Sequence, residues 1–186
     1  MAGEIDEAIE RADRESFTRQ PPKTLKGQIG YLIRQLGSAR AVAREIGVTA
    51  DSVNRYRRGA RKHARPDIAA KIDEAVRKRW QPQVRRRRQK QAATTRGITV
   101  ETRARFGYTA PIGTTDDGRF RRLTVHLPPA YAQRLFDARN TGASDQQMRG
   151  IIAEGLKEIY FQDGGSRALG LSDVTLNDID YLDLDY

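Results

Sequence analysis

Residues 40–59 read RAVAREIGVTADSVNRYRRG, which has the spacing of two short helices joined by a tight turn. A small residue suits the close crossing of two helices, and a glycine adopts the positive φ of the turn at little cost. Valines fill the space between the helices, and a threonine caps the second one. These positions are Ala43, Gly47, Val48, Thr49 and Val53. The pattern predicts a helix-turn-helix, whose second helix enters the major groove of DNA.

The second helix of this pair is expected at about Ala50–Arg58. Asn and Arg side chains can form two hydrogen bonds with the edges of adenine and guanine. The face expected to be exposed offers Asp51, Ser52, Asn54, Arg55 and Arg58. The alternative is an ordinary helical hairpin with a solvated charged face.

Charge is distributed unevenly along the 186 residues, whose formal net charge is +10 and whose isoelectric point is about 10.2. Residues 21–96 carry 21 Lys and Arg against 5 Asp and Glu, a net charge of +16. Residues 1–20 have a net charge of −3, residues 97–162 of +2 and residues 163–186 of −5. Attraction to a polyanion therefore belongs to the first half of the chain. This charge favours a DNA-reading helix over a solvated hairpin.

Further basic residues follow the predicted recognition helix. Arg61 and Lys62 precede a helix that Pro66 can start and that ends near Trp80. A run of four arginines comes next. We expect it to be solvated or disordered in the free protein and to neutralise phosphates in a complex. The residues predicted to contact DNA are Ser52, Asn54, Arg55, Arg58, Arg61, Lys62, Arg85, Arg86, Arg87 and Arg88.

The composition disfavours several kinds of site. The chain has no cysteine for a disulfide or a thiolate, and its two histidines, His63 and His126, are far apart. The acidic N-terminus does not resemble a secretory signal, and no stretch of about 18 apolar residues could span a membrane. We expect a cytoplasmic protein with no membrane association and no metal or cofactor of its own. Independent catalysis is the least favoured interpretation.

The second half predicts a β-hairpin followed by two helices. Residues 98–106 and 119–127 are rich in strand formers and flank the turn-rich APIGTTDDG at 110–118. The order strand, helix, turn, helix is that of ribbon-helix-helix proteins, which are two-fold dimers. Pairing of the two strands within one chain would remove the need for a partner, so a homodimer stays open. A small α+β interaction domain without DNA contacts is the alternative.

The sequence thus predicts a mainly α-helical protein with a small α+β part, divided into five segments. They are an acidic N-terminal helix at 1–20, the helix-turn-helix domain at 21–80, a basic linker at 81–97, the hairpin and two-helix domain at 98–163 and an acidic tail at 164–186. The tail could fold back on the basic half, dock on a partner or stay loose. Its charge favours docking or self-masking.

Three long blocks of the chain resemble the telomere terminal proteins of linear actinomycete chromosomes and plasmids. Residues 27–68 read GQIGYLIRQLGSARAVAREIGVTADSVNRYRRGARKHARPDI. Residues 105–128 read RFGYTAPIGTTDDGRFRRLTVHLP, and residues 150–186 read GIIAEGLKEIYFQDGGSRALGLSDVTLNDIDYLDLDY. The resemblance covers essentially the whole chain.

The resemblance implies a protein primer. Such a protein acts at a 5′ DNA end opposite a single-stranded 3′ overhang, where a threonine hydroxyl accepts the first deoxynucleotide and stays covalently linked to it. The matching residue is Thr114, with Thr115 as the adjacent rival, so the domain at 98–163 would serve priming. The implied partners are telomeric DNA with its overhang, a telomere-associated protein that recruits the primer, and a DNA polymerase.

A threonine in this turn suits the role of nucleotide acceptor. Its hydroxyl is a poor nucleophile by itself, but Mg²⁺ ions bound to the polymerase can lower its pKa and stabilise the developing phosphoryl charge. The primer must supply an exposed hydroxyl with reach, which Gly113 and Gly118 favour. Asp116 and Asp117 are interpreted as turn formers, and the alternative is that they help to hold a metal ion. The weaker rival acceptors are Tyr108, Ser144, Tyr181 and Tyr186.

Two other functions compete with priming. One is a transcription regulator that has both a helix-turn-helix and a ribbon-helix-helix-like module and forms no covalent link to DNA. The other is a nucleoid-type or plasmid-partition protein that binds DNA by charge with little sequence preference.

Overall fold

The computed structural model describes residues 3–109 and 120–186, which form a predominantly helical protein with one three-stranded antiparallel sheet. The chain divides into two compact units. The helical unit is Phe17–Pro82. The sheet unit combines Met1–Ser16 with Gln83–Tyr186. The expected fold class, mainly α with a small β part, is therefore confirmed.

The helical unit contains four helices, α2 to α5. They span Leu25–Leu36, Ala39–Ile46, Ala50–Arg58 and Pro66–Arg79. The side-chain oxygens of Thr24, Ser38 and Thr49 cap α2, α3 and α4, because each accepts a hydrogen bond from a backbone N–H in the first turn of its helix. The helices close around an apolar core of Ile29, Tyr31, Leu32, Val42, Ala43, Ile46, Val53, Tyr56, Ile68, Ile72, Ala75 and Val76.

The sheet unit is built around a central strand. Strand β1 is Ile98–Thr109, β2 is Phe120–Leu127 and β3 is Asp173–Asp185, in the order β2-β1-β3. Helices α1 (Glu4–Glu15), α6 (Pro82–Gln91), α7 (Pro129–Asn140) and α8 (Asp145–Leu156) complete the regular helices of the described part, with π-helical turns at Ala92–Arg96 and Lys157–Phe161 and a short 3₁₀ turn at Asp163–Gly165. The largest fully buried side chains of this unit are Ile5, Ile9, Ile98, Phe106, Leu127, Leu135, Ile152 and Leu156.

The predicted hairpin is present, because β1 and β2 pair antiparallel with Val100 opposite Val125 and Arg105 opposite Phe120. The acidic tail, expected to be a docking, self-masking or loose segment, differs from that expectation. It forms β3, which pairs antiparallel with β1. The reason is a period of two at both ends of the strand, where Val174, Leu176, Leu182 and Leu184 face the core and the residues that alternate with them face solvent. Between the two ends the register shifts, and the exposed Asp178 and Asp180 lie at these irregularities. The tail is therefore part of the sheet unit.

The segment interpreted as a basic linker also differs. Residues 82–91 are helical, and Gly97, at φ +75°, then turns the chain directly into β1. A Cβ at this glycine would lie 2.2 Å from the Leu127 carbonyl oxygen, so a larger residue does not fit. The acidic N-terminal helix α1 belongs to the same unit, where Ile5 and Ile9 are fully buried.

Candidate nucleic-acid interface

Helix α4 follows α3 through a turn of three residues. Gly47 ends α3 at φ +71°, and the Val48 N–H donates to the Ala43 carbonyl oxygen at 3.0 Å. Thr49 Oγ1 then accepts the Ser52 N–H at 3.2 Å, so α4 begins at Ala50. The glycine turn and the threonine cap are both local features, and together they fix the angle at which α4 leaves α3.

The exposed face of α4 is strongly basic. Val53 and Tyr56 turn inward and are buried, which leaves Asp51, Arg55, Arg57 and Arg58 exposed and Asn54 half-buried. Ser52 was predicted to contact DNA. Its Oγ lies 3.0 Å from Thr49 Oγ1, a hydroxyl can form further hydrogen bonds, and the DNA contact of Ser52 stays a prediction. Arg57 was not singled out from the sequence, although its position beside Arg58 on a short helix would have supported it.

Arg55, the strongest candidate for a base contact, has an internal partner. Its Nη2 lies 2.8 Å from Asp51 Oδ2, one helical turn earlier, and both side chains are at least half exposed. An exposed pair of this kind contributes only about 0.3–0.5 kcal/mol. A guanine edge, which can accept two hydrogen bonds, can therefore displace the carboxylate.

Charge extends beyond α4 over the whole helical unit. The unit holds 16 Lys and Arg against 5 Asp and Glu, a net charge of +11. Arg61 and Lys62 are exposed in the connection that leads to α5. Arg40 and Arg44 are exposed on α3 at a spacing of four residues, which places them on one face. Sequence reasoning missed this α3 pair, which the helical spacing would have indicated.

The run from Arg85 to Arg88 lies in α6, and it is helical rather than disordered. Arg86 and Arg87 are exposed, whereas Arg85 and Arg88 are half-buried. Arg, Gln and Lys have high helix propensity. The helix is also held from outside, because Gln89 Nε2 donates to the fully buried Asp13 carboxylate of α1 at 3.1 and 3.2 Å. The run belongs to the sheet unit, so α4 and α6 are basic surfaces of different units.

Thr114 and Thr115 lie outside the described residues, as does the turn-rich segment that contains them. The two strands that flank the segment are described. β1 extends to Thr109 and β2 starts at Phe120. Because the strands are antiparallel neighbours, the segment both leaves and re-enters the sheet at one end of the hairpin.

Three of the four rival acceptors already have structural roles. Ser144 Oγ accepts the Gln147 N–H in the predicted capping box. Tyr181 donates its hydroxyl to Glu101 at 3.1 Å, and desolvation together with this bond raises the pKa of Tyr181. Tyr186 donates to Asp13 at 2.7 Å, and burial followed by the Asp13 charge raises the pKa of Tyr186. Both shifts disfavour the ionised oxygen that attacks phosphorus.

The described His, Asp and Glu side chains form no group of three or more that lies close enough to hold a metal ion. No helix in that part of the chain is both long and apolar enough to cross a membrane. His126 lies on β2, with Nδ1 3.2 Å from Thr99 Oγ1, and His63 belongs to the helical unit.

Comparison of the chain with protein families, with curated proteins and with solved structures finds no match. A function for this chain is therefore inferred from its sequence blocks and from the geometry of the two units.

Proposed function

We propose that this chain is a telomere terminal protein, which binds the end of a linear DNA molecule and primes synthesis from Thr114. The observation that carries the proposal is the placement of the Thr114 segment in the chain. It joins the paired strands β1 and β2, which gives the acceptor a firm support at both ends. A primer needs this arrangement, because its hydroxyl must reach into the active site of another protein.

The helical unit supplies the DNA-binding half of the proposal. A helix-turn-helix formed by α3, the turn at Gly47 and α4 would place α4 in the major groove. Asn54, Arg55 and Arg58 would then read or contact bases. The excess of positive charge on the unit would supply sequence-independent affinity for phosphates.

The chemical step balances without a catalytic group on this chain. Thr114 Oγ1 attacks the α-phosphorus of a deoxynucleoside triphosphate, an O–P bond forms, and pyrophosphate leaves. The hydroxyl proton passes to solvent or to a base of the polymerase, whose Mg²⁺ ions stabilise the charge. A telomere-associated protein would bring the primer to the folded 3′ overhang, and the chain would remain attached to the 5′ end.

A transcription regulator is the second candidate, and one observation favours it. The order β2, α7, α8 with a capping box at Ser144 is that of a ribbon-helix-helix module. In such modules the strand pairs with its mate across a two-fold axis. Here β2 pairs with β1 of its own chain, so a dimer would have to form through the other edge of β2.

The test is transfer of a radiolabelled deoxynucleotide to the protein, with a polymerase and a single-stranded telomeric template. Wild type should become labelled, and the label should map to the peptide at 106–119. Thr114→Ala should remove labelling, whereas the matched neighbour Thr115→Ala should retain it. Undiminished labelling of Thr114→Ala would overturn the acceptor assignment. DNA ends that remain open to a 5′ exonuclease in cells containing wild type would favour the regulator.

A further inference from the structure

A pocket lies at the end of the hairpin from which the Thr114 segment departs. Its volume is about 360 Å³, and it is lined by Tyr108 of β1, Arg121 of β2 and residues that follow α8. The latter include Tyr160, Phe161 and Arg167. Tyr108 and Arg121 lie on the same face of the sheet as the core residues Ala104 and Phe106. The other described lining residues belong to the segment 160–171.

The aromatic rings of this pocket form a fixed group. Phe161 packs edge-on against Phe106, Tyr108 and Tyr160, with ring centroids 5.6, 5.2 and 5.0 Å apart. Phe106 is fully buried and anchors the group in the core. The other three rings are half-buried and therefore keep part of their surface open. Such preordered aromatic surface suits stacking with a flat ligand.

Two arginines and a strained turn complete the pocket. Arg121 and Arg167 are exposed, and the lining residues within 3–109 and 120–186 include no Asp or Glu. Arg167 Nη2 donates to the Tyr160 carbonyl oxygen at 3.1 Å, which holds this side chain beside the backbone of Tyr160. Ala168, which also lines the pocket, has φ +50°, a conformation that non-glycine residues adopt only at a cost. Strain of this kind concentrates at binding sites.

We propose that this pocket binds one unpaired nucleotide of the single-stranded DNA that serves as template, with its base against Tyr160 and Phe161 and its phosphates beside Arg121 and Arg167. Open aromatic rings next to arginines are the combination that binds single-stranded nucleic acid without a strong sequence preference. The inference rests on the proposed priming function, which explains why a template site would lie here. Thr114 is six residues from Tyr108, so chain length keeps it within about 20 Å of that residue.

A DNA strand fits the pocket better than a free deoxynucleoside triphosphate. The two guanidinium groups carry the same number of charges as the two phosphodiesters that flank one nucleotide in a strand. A triphosphate concentrates several charges and binds together with Mg²⁺, which favours carboxylate ligands, and the lining residues that the structure describes include none. We therefore assign the pocket to a DNA strand. The crosslinking experiment below distinguishes this occupant from a free deoxynucleoside triphosphate.

The first experiment locates the contact in the full chain without any polymerase. A single-stranded oligodeoxynucleotide containing 5-bromodeoxyuridine is crosslinked by ultraviolet light in the presence of excess duplex DNA, which occupies the helical unit. We expect the adduct in the tryptic peptide at 158–167, at Tyr160 or Phe161. Adducts confined to peptides of the helical unit would overturn the proposal, as would loss of the 158–167 adduct on addition of a free deoxynucleoside triphosphate.

The second experiment measures affinity for the same oligonucleotide by fluorescence anisotropy, again with excess duplex. The double variant Arg121→Ala and Arg167→Ala should lose about tenfold or more, as should Tyr160→Leu, which keeps an apolar side chain but removes the ring. The matched control, Arg103→Ala with Arg105→Ala, removes the same charge from the opposite face of the sheet and should retain affinity. An equal loss in the control would reduce the effect to general electrostatics and overturn the site.

The single-strand site and the priming function can be tested separately, because strand binding is measured in an experiment without nucleotide transfer. A chain that crosslinks through 158–167 but never accepts a nucleotide would retain the site and lose the priming function. A chain that is labelled at Thr114, and whose Arg121→Ala, Arg167→Ala variant binds single strands like wild type, would retain priming and lose the site.

Discussion

The two units of this protein differ most in how their charges are balanced. The helical unit has 16 basic and 5 acidic residues, whereas the sheet unit has 18 basic and 19 acidic residues and a net charge of −1. The basic character of the whole chain is therefore a property of its smaller unit. Even if every carboxylate of the helical unit paired with one basic side chain, 11 basic side chains would remain to bind a polyanion.

Charges in the sheet unit hold the unit together instead. Arg139 lies within 3.6 Å of carboxylates of Asp6, Glu10 and Asp13, which connects α7 to α1. Arg149 lies 3.0 Å from Glu4, which connects α8 to the same helix. One unit is thus organised to bind a polyanion, and the other to hold several chain segments around a central strand.

The largest expected effect comes from a cavity in the core of either unit. Leu32→Ala in the helical unit should lower the free energy of unfolding by about 2–5 kcal/mol, because Leu32 is fully buried. Trp80, the single tryptophan, lies in this unit with its ring centroid 4.8 Å from that of Tyr31, so its fluorescence reports this core.

The control for this prediction is Leu135→Ala, which opens a cavity in the core of the sheet unit. Its loss of stability should appear in far-UV circular dichroism and leave the Trp80 transition in place. If both variants shift the Trp80 transition equally, then the division into two separately stabilised units is wrong.

A smaller effect is expected from Asp13, which is 0% exposed and accepts hydrogen bonds from Tyr186 and Gln89. Asp13→Ala leaves both donors without this partner, which should cost about 1–3 kcal/mol in urea unfolding followed by circular dichroism. Glu7→Ala, an exposed change on the same helix, is the control and should stay within about 0.5 kcal/mol. If the two variants were equally stable, water would have to bind Tyr186 and Gln89 as well as the Asp13 carboxylate does, and the prediction would be wrong.

The third prediction compares the basic surfaces of the two units. Arg55→Ala on α4 should cost about 1–3 kcal/mol in binding to the preferred duplex and reduce discrimination between sequences. Arg86→Ala with Arg87→Ala on α6 should weaken binding to all duplexes and reduce the slope of log affinity against log salt by about 0.9 for each phosphate that is no longer neutralised. Salt titrations with specific and unrelated duplexes distinguish the two results. Uniform weakening in both variants would make α4 another phosphate-binding surface.

Local signals account for what the sequence predicted well. The bounds of α4 at Ala50–Arg58 and its Thr49 cap were predicted, because a cap and a glycine turn act within a few residues. The β1–β2 hairpin was predicted for the same reason, as alternating residues flank a segment of turn formers. The capping box at Ser144 is a third example.

Features that depend on distant partners were missed. The two ends of β3 alternate buried apolar residues with exposed ones as a strand should, but its partner β1 lies more than 60 residues earlier, and no local pattern identifies that partner. The arginine run was expected to be solvated or disordered, and its helical structure was missed because nothing near it indicates that Gln89 binds Asp13 of α1. The pocket at Tyr160 joins a strand end to a segment about 50 residues away, so the sequence could not have indicated it.

The smallest expected effect is a loss of stability in acid that involves the sheet unit. Arg134 of α7 donates a hydrogen bond to Glu154 of α8, with Nη2 2.6 Å from Oε2. This bond lowers the pKa of Glu154 below its usual value of 4.5. A carboxylate with a lowered pKa in the folded state stabilises the protein above about pH 4.5, and this contribution is lost as the pH falls through the lowered pKa. The pair is about half exposed, so the contribution should be only about 0.2–1 kcal/mol. Unfolding free energies of wild type and Glu154→Gln, measured by circular dichroism from about pH 6 to about pH 3, should converge at the acid end. A difference that stays constant across that range would show that Glu154 stabilises the sheet unit through packing. The Arg134–Glu154 pair would then no longer count among the ion pairs that hold this unit together.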